Sequence, residues 1–252
     1  MSKTLIAMSG GVDSSVSAYL MVKEGHECIG VNMKLHAGAQ EDELGGRQCC
    51  SLTDAEDARS VCHRLGMKFY VFNFTDDFEK EVIGRFVCAY ECGATPNPCI
   101  DCNKYMKFSK LHDRAKILGC DTIVTGHYAR IEWSEEKSRW LLKKAKNVQK
   151  DQSYVLYFLT QEQLAHTRFP LGEMSKAEAR AIAEEQGFIN ARKSDSQDIC
   201  FVPDGDYASF ICDFTGKEYP AGNFVDPRGN ILGQHKGLIR YTIGQRKGIG
   251  IS

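Results

Sequence analysis

The feature that most constrains this chain lies near its start. The octapeptide Met8-Ser9-Gly10-Gly11-Val12-Asp13-Ser14-Ser15 follows an apolar run, Thr4 to Ala7, that reads as a buried strand. A periodic apolar segment from Val12 to Val22 comes next and stops at Gly25, so the octapeptide has to be a tight strand-to-helix turn. Two glycines let the backbone approach a ligand, and the first turn of a helix presents unpaired N–H groups suited to a phosphate. Ser9, Ser14 and Ser15 add hydroxyl donors. Asp13 carries a negative charge that repels a bare phosphate, so it reads as a partner for Mg2+ or as the helix cap. The lysine-containing phosphate loop GxxxxGK[ST] is excluded, because no lysine lies between Lys3 and Lys23.

What remains, SGGxDS between a strand and a helix, resembles the pyrophosphate loop (PP-loop) of ATP pyrophosphatases. That resemblance implies ATP as a ligand and activation of a substrate oxygen by adenylation. The strand–helix alternation continues downstream. His26 to Met33 reads as a second strand, Thr53 with Glu56 as a capping box opening a helix to about Leu65, and Met67 to Phe74 as a third strand. Thr75 is expected to cap a helix through roughly Tyr90, a further helix runs from the Gly93 to Pro98 turn to about Leu118, and Thr122 to Thr125 gives a fourth strand. This order predicts an α/β fold, a parallel sheet wound by right-handed crossovers, with ligands beyond the carboxyl ends of its strands.

The pattern changes after His127. Tyr128 to Trp133 and Trp140 to Leu142 predict a hairpin, followed by the basic run Lys143, Lys144, Lys146 and Lys150. Asp151 to Leu159 reads as helical, and Ser175 with Glu178 opens a helix that ends at Gly187. Beyond Phe201 the chain is rich in glycine, with short β-like pieces at Asn223 to Val225 and Leu238 to Ile243. The expected division is a first domain over 1–200, with an insert at about 128–190, and a small, partly β domain over 201–252.

A composition of 42% hydrophobic and 26% charged residues is that of a soluble globular protein. No apolar run reaches the length of a membrane span and no signal peptide is recognisable, so a cytoplasmic location is expected. A net charge of −1 gives no global attraction to nucleic acid, which leaves any RNA contact to local patches. Eleven cysteines, an odd number without an export signal, argue against a disulfide framework. Cys28, Cys62, Cys120 and Cys212 lie in apolar or helical contexts and read as core, and the adjacent Cys49 and Cys50 as incidental. Phe69, Phe72, Tyr154, Tyr157 and Phe158 are expected to pack rather than to stack on bases.

Two cysteines stand apart. In Thr95-Pro96-Asn97-Pro98-Cys99-Ile100-Asp101-Cys102-Asn103-Lys104 two prolines rigidify a turn at a helix start, and Cys102 has Lys104 and Lys107 beside it. The helix end and the cations favour thiolate there, so Cys102 reads as a reactive thiol. Cys200 ends the polar stretch Ser194-Asp195-Ser196-Gln197-Asp198-Ile199, next to Arg192 and Lys193. A loop thiol of that kind suits one that travels between donor and acceptor.

Six ordered motifs now resemble the tRNA-specific 2-thiouridylases: SGGVDSS at 9–15, TPNPxxxCNKxxKF at 95–108, TGHYAR at 125–130, KDQSY at 150–154, DSQDICF at 195–201 and YTIGQRKGIGI at 241–251. The resemblance implies a PP-loop ATPase domain of the adenine nucleotide alpha-hydrolase-like kind, a small central domain and a C-terminal β-barrel, the last absent from this chain. It implies ATP-dependent 2-thiolation of the wobble uridine of tRNA through an adenylated intermediate. ATP would be held by Ala7, Met8, Ser9, Gly10, Gly11, Val12, Asp13, Ser14 and Ser15, with Mg2+, and with Met33 and Gly126 lining the site. Cys200 would carry the sulfur as a persulfide, received from a donor protein such as a cysteine desulfurase or a relay. Cys102 would resolve the intermediate by forming a disulfide with Cys200. Asn97, Pro98 and Cys99 match the part facing the target base, and Lys150, Asp151 and Gln152 match a tRNA-contacting segment.

The family often has aspartate where this chain has Cys99. Cys99 and Cys102, with Cys200 as a third ligand, could instead hold a [4Fe-4S] cluster that carries sulfide. Zinc on Cys88, Cys92, Cys99 and Cys102 is a further alternative. His127 reads equally as a nucleotide contact or as a structural histidine. The lysines at 143–150 are a solvated hairpin edge or, with Arg192, Lys193, Arg246 and Lys247, an RNA-backbone patch. Two rival functions remain: a PP-loop amide or amidine synthetase, which needs neither Cys102 nor Cys200, and a noncatalytic metal-cluster or RNA-binding protein.

Overall fold

The computed structural model describes residues 2–36, 52–194 and 199–251. Its centre is a five-stranded, all-parallel sheet in the order β3-β2-β1-β4-β7: β1 (Lys3–Ala7), β2 (Glu27–Lys34), β3 (Lys68–Asn73), β4 (Thr122–Val124) and β7 (Thr167–Arg168). In β1 and β2 nearly every residue is buried, as expected of strands covered on both faces. The twofold alternation of a strand then sorts side chains between two cores. Leu5, Ala7, Ile29, Val31 and Met33 face Phe78, Phe86, Met106 and Leu111. Ile6, Met8 and Cys28 face Val12, Val16 and Met21 of α1 (Val12–Lys23), Ala58 and Val61 of α2 (Leu52–Arg64), and Ala179 and Ala183 of α6 (Lys176–Glu185). The two-residue β7 is too short to alternate, so no periodicity announces it.

Two helical runs depart from regular α geometry. The first, α3 (75–91), is α-helical over Thr75–Phe78, π-helical over Glu79–Ile83 and α-helical again over Gly84–Glu91. Its start is held by Asn73, whose Oδ1 accepts from the Thr75 backbone N–H at 3.1 Å and from Thr75 Oγ1 at 2.6 Å; Thr75, expected to be the cap, is the first helical residue instead. The second, α4 (98–117), is α-helical over Pro98–Asp101, π-helical over Cys102–Lys110 and α-helical over Leu111–Ile117. π turns are frequent at functional sites, and this one begins at Cys102.

The hairpin is present as β5 (Ala129–Ser134) paired with β6 (Arg139–Lys144). The helix expected over 151–159 is only a 3-10 turn, Ser153–Leu156. Asp151 turns the chain there, its carboxylate accepting from the Ala145 N–H at 2.8 Å and from Ser153 Oγ at 2.8 Å, an alternative to helical pairing. A short α5 (Gln161–Ala165) follows, and α6 opens with the expected capping box of Ser175 and Glu178. Beyond Phe201 come α7 (Tyr207–Thr215) and the antiparallel pair β8 (Gly222–Val225) and β9 (Ile231–His235); the β-like reading of 238–243 gives way to a 3-10 turn, Leu238–Arg240. Phe201, Val202, Ala208 and Ile211 join the first core, with Phe201 edge-on to Phe86 at 5.2 Å and to Phe78 at 5.9 Å.

Cys28, Cys62 and Cys120 are buried, and burial pushes the Cys28 thiol up to about 11 and the Cys62 thiol up to about 12. Cys212 is half-buried against the first core, and Cys49 and Cys50 lie outside the described residues. Phe69, Phe72 and Phe158 pack against the cores, whereas Tyr154 and Tyr157, also expected to pack, are exposed. Among the described residues no helix is long and apolar enough to cross a membrane.

Phe86 is fully buried and meets Tyr90, Phe201 and Phe210 by ring edges. Phe86→Ala is expected to cost about 3–5 kcal/mol in a urea titration, and Phe86→Leu clearly less. Equal losses would mean that ring packing is not what holds 201–215 to the sheet.

Candidate functional site

The strand order locates the site. The chain leaves β1 toward β2 and β3, then returns to β4 on the other side of β1. The turns after β1 and β4 therefore diverge, and a crevice opens at the carboxyl ends of the two strands. Residues 8–11 line it from β1 and residues 125–127 from β4.

Glycine is required at two points by close backbone approach. Gly10 has φ of +78°, and a Cβ there would lie 2.7 Å from Asp54 Cα. A Cβ on Gly126 would lie 2.8 Å from the Asp13 carbonyl carbon and 2.9 Å from the Ser14 nitrogen. Gly126 thus lets the end of β4 touch the first turn of α1. The buried Asn32 of β2 donates to the Met8 carbonyl at 2.8 Å and fixes where the loop departs.

Inside the loop the hydroxyls divide their work. Ser14 Oγ donates to the Gly11 carbonyl at 3.0 Å and accepts from the Ser9 N–H at 3.3 Å. Ser15 Oγ donates to the same carbonyl at 3.0 Å and accepts from Asn190 Nδ2 at 2.9 Å. Asn190 also donates to the Gly10 carbonyl at 2.8 Å, and its own Oδ1 is buried without a hydrogen-bond partner. Ser14 and Ser15 are buried and Ser9 is exposed, so Ser9 carries the outward hydroxyl. Gly11, not Asp13, occupies the N-cap position of α1, and no side chain caps that helix, which corrects the capping role read for Asp13. The Asp13 carboxylate instead binds Lys176 Nζ at 2.8 and 2.9 Å and accepts from the Tyr128 hydroxyl at 2.9 Å.

A second ion cluster braces the loop from behind. Lys193 Nζ lies 2.6 Å from Asp54 and 2.7 Å from Asp57, both on α2. Burial works against the Lys193 charge, yet hydrogen bonds to the two carboxylates hold its pKa above the ordinary lysine value. Lys176, Asn190 and Asp54 act across the fold and lie in no motif, Tyr128 lies in TGHYAR without its partner being legible, and Lys193, offered for an RNA-backbone patch, is bound to two carboxylates instead.

Of the residues expected to line the crevice, Met33 lies near the carboxyl end of β2 with its side chain in the first core. His127 is buried between Phe108 and Phe169, with Nδ1 2.6 Å from Thr125 Oγ1. Burial, with Lys107 nearby, holds its pKa well below the usual histidine range, so it is a neutral, structural histidine.

The cysteine-bearing stretches meet one core. Asn97 caps α4 through the Cys99 N–H at 3.1 Å, Pro98 fills the first position, and the buried Asn103 donates to the Cys99 carbonyl at 2.9 Å. Cys102 and Cys200 are half-buried and pack against the same first core, while Cys99 is exposed. Cys88 and Cys92 are exposed neighbours on α3, the hydrogen bond between them raising the Cys92 pKa. Among the described residues no group of three or more His, Cys, Asp or Glu side chains converges to hold a metal. Neither the cluster offered as an alternative on Cys99, Cys102 and Cys200 nor the alternative zinc on Cys88, Cys92, Cys99 and Cys102 is supported by this arrangement: Cys99 is exposed while Cys102 and Cys200 lie against the core.

The start of α4 packs on the Ser153–Leu156 turn, with Ile100 against the cluster that contains Phe108, Val155 and Leu156. Gln152 pairs with the Tyr128 backbone in both directions, at 2.9 and 3.0 Å, and Asp151 holds the turn, so Lys150 is the exposed member of residues 150–152. In the basic run, Lys143 pairs with Glu132 at 2.6 Å.

A parallel α/β sheet with a glycine turn at its switch point and no loop lysine defines a PP-loop nucleotide-binding protein of the HUP class. A family profile described as "tRNA methyl transferase HUP domain" matches residues 2–204, and one described as "tRNA methyl transferase PRC-barrel domain" matches 208–252. The chain is 52% identical over 250 residues to the tRNA-specific 2-thiouridylase MnmA of Clostridioides difficile, covering 99% of this chain and 69% of that protein. It is 51% identical over 251 residues to the enzyme of the same name from Acetivibrio thermocellus, covering 99% and 70%. The chain belongs to the tRNA-specific 2-thiouridylase family. A solved 4-thiouridine synthetase, in complex with RNA and ATP, shares the fold at a TM-score of 0.52 and 15% identity, over 85% of this chain and 50% of that one.

Two outcomes test this geometry. Gly10→Ala is expected to lose at least ~2 kcal/mol and nucleotide binding, because φ is left-handed and Asp54 fills the space, whereas Gly11→Ala, whose Cβ meets only Ser9 Oγ at 3.5 Å, keeps wild-type stability. For His127 the folded state resists the proton that the unfolded chain takes up near pH 6.5, so its share of stability is present above that pH and lost as pH falls. His127→Gln is expected to flatten the stability–pH curve below 6.5; an unchanged curve sinks the assignment.

Proposed function

We propose that this chain is an ATP-dependent tRNA thiolase, replacing O2 of the wobble uridine with sulfur. The observation that supports the reading is that Cys102 and Cys200 both pack against the core on one face of the sheet whose switch point carries the glycine loop. Residues 1–200 would carry the chemistry and 201–252 a small β-rich unit. ATP enters with its phosphates at the N–H groups of the 9–13 turn and at the Ser9 hydroxyl. Asp13 is the carboxylate at the loop that fits Mg2+, which commonly takes one or two carboxylates together with substrate phosphates, and it does so in competition with Lys176.

The uridine O2 attacks the α-phosphorus and pyrophosphate leaves, which makes the oxygen part of an AMP leaving group. The terminal sulfur of a Cys200 persulfide attacks C2 and AMP departs, leaving C2–S–S–Cys200. Cys102 thiolate then attacks Cys200 Sγ; the S–S bond to the nucleoside breaks, 2-thiouridine is released, and the two cysteines are oxidised to a disulfide that an external dithiol reduces. The sulfur comes from a separate persulfide-donor protein. Asn97, Pro98 and Cys99 face the base, and Lys150 meets the RNA backbone.

The test uses ATP, a tRNA transcript and a cysteine desulfurase with cysteine. Wild type is expected to release pyrophosphate and AMP in step with 2-thiouridine. Cys200→Ser should keep pyrophosphate release and lose thiolation by at least about a thousandfold. Cys102→Ser should accumulate an RNA–protein disulfide that dithiothreitol cleaves. If the double variant thiolates like wild type, or if tRNA elicits no pyrophosphate, the reading fails.

A further inference from the structure

The Ser153–Leu156 turn presents a feature that the thiolase reading leaves unused. In a 3-10 turn residues three apart eclipse one another, so one side carries positions 154 and 157 and the other sides carry 155 and 156. Val155 and Leu156 are 4% and 0% exposed, packed with Phe108 and Ile100. Tyr154 and Tyr157 are 60% and 71% exposed. The main chain continues in helical conformation at Tyr157, with φ of −59° and ψ of −22°. Two rings therefore project from one side of a turn, separated along its axis by about 6 Å, three residues at a rise of about 2.0 Å each. That is close to the roughly 7 Å between the two neighbours of a base stacked on both faces.

We infer that Tyr154 and Tyr157 clamp one unpaired base of the RNA, a nucleotide flanking the target uridine. The turn packs directly on the start of α4, which carries the segment proposed to face the target base, so a strand threading toward Cys102 passes the rings. Exposed Lys150 lies four positions before Tyr154, and exposed Lys104 lies on the 102–110 stretch that contacts this turn, so cations flank it although the chain as a whole is near neutral. Cations around exposed aromatic rings are what single-stranded RNA needs: the lysines take the phosphates, and stacking on the rings tolerates any base. A protein partner, the persulfide donor among them, would be expected to bury the rings in an apolar surround, whereas the segments that flank this turn in sequence and in contact carry exposed lysines. The inference rests on the thiolase reading for the nature of the ligand.

The experiment titrates the full chain into an anticodon stem-loop RNA with 2-aminopurine beside the wobble uridine. Wild type is expected to quench the fluorescence on binding. Tyr154→Ala and Tyr157→Ala should each weaken affinity by about 5- to 100-fold with the salt slope unchanged, and the Phe variants should stay within about twofold. Lys150→Ala should lower the salt slope by about 1 and leave quenching at saturation intact. Thermal melts show whether the Ala variants are folded, which exposed positions lead us to expect. Folded Ala variants that bind and quench like wild type overturn the clamp and leave thiolation standing. Ala variants that bind RNA normally but lose turnover only when sulfur comes from the donor protein, and not from inorganic sulfide, also overturn it, assigning the rings to that protein. A wild-type chain that binds no RNA removes clamp and thiolase reading together.

Discussion

Backbone contact at the switch point of the sheet is the constraint on which the rest depends. Gly10 rests on the main chain of Asp54, and Gly126 rests on the main chain of Asp13 and Ser14. Neither contact leaves room for a methyl group, so the turn is wedged between the start of α2 and the end of β4. A loop held this way presents its N–H groups without having to order itself on binding, and less of the interaction with phosphate is offset by lost entropy. Asp54 serves twice, through its main chain against Gly10 and through its carboxylate on Lys193.

Late parts of the chain complete that early loop. Lys176 at the start of α6 and Asn190 just beyond its end reach Asp13, Gly10 and Ser15. Lys193 then ties the same stretch to α2 a few residues before Cys200. The glycine loop and the approach to Cys200 thus share one set of supports. On the opposite core Phe201 anchors the residue after Cys200 among Phe78, Phe86 and Phe210. Cys200 is thus held by its neighbour on the same core that Cys102 packs against.

What the sequence made legible was local or periodic. SGGVDSS announced a strand-to-helix turn because its flanks alternate correctly, and the Ser175–Glu178 capping box was read residue for residue. The parallel sheet followed from element order. Asp13 was misread as a cap because its partner, Lys176, lies far away in sequence. The bonds of Ser14 and Ser15 to Gly11 and Asn190 were not legible, because Asn190 lies far along the chain. The π stretches were invisible because their apolar spacing barely differs from that of an α-helix. Tyr154 and Tyr157 were assigned to packing from composition, and only a 3-10 turn in place of a helix separates them from Val155 and Leu156.

The buried thiols acquire a meaning from the company they keep. Sulfur passes between cysteines only through a thiolate, and a thiol whose pKa lies near 11 or 12 is almost never ionised at neutral pH. Cys28 and Cys62, buried on one face of the sheet with the Cys62 sulfur against Gly30, are therefore kept out of thiol exchange. A protein that handles mobile sulfur can be rich in cysteine without short-circuiting itself, provided that its spare thiols stay in the dry interior.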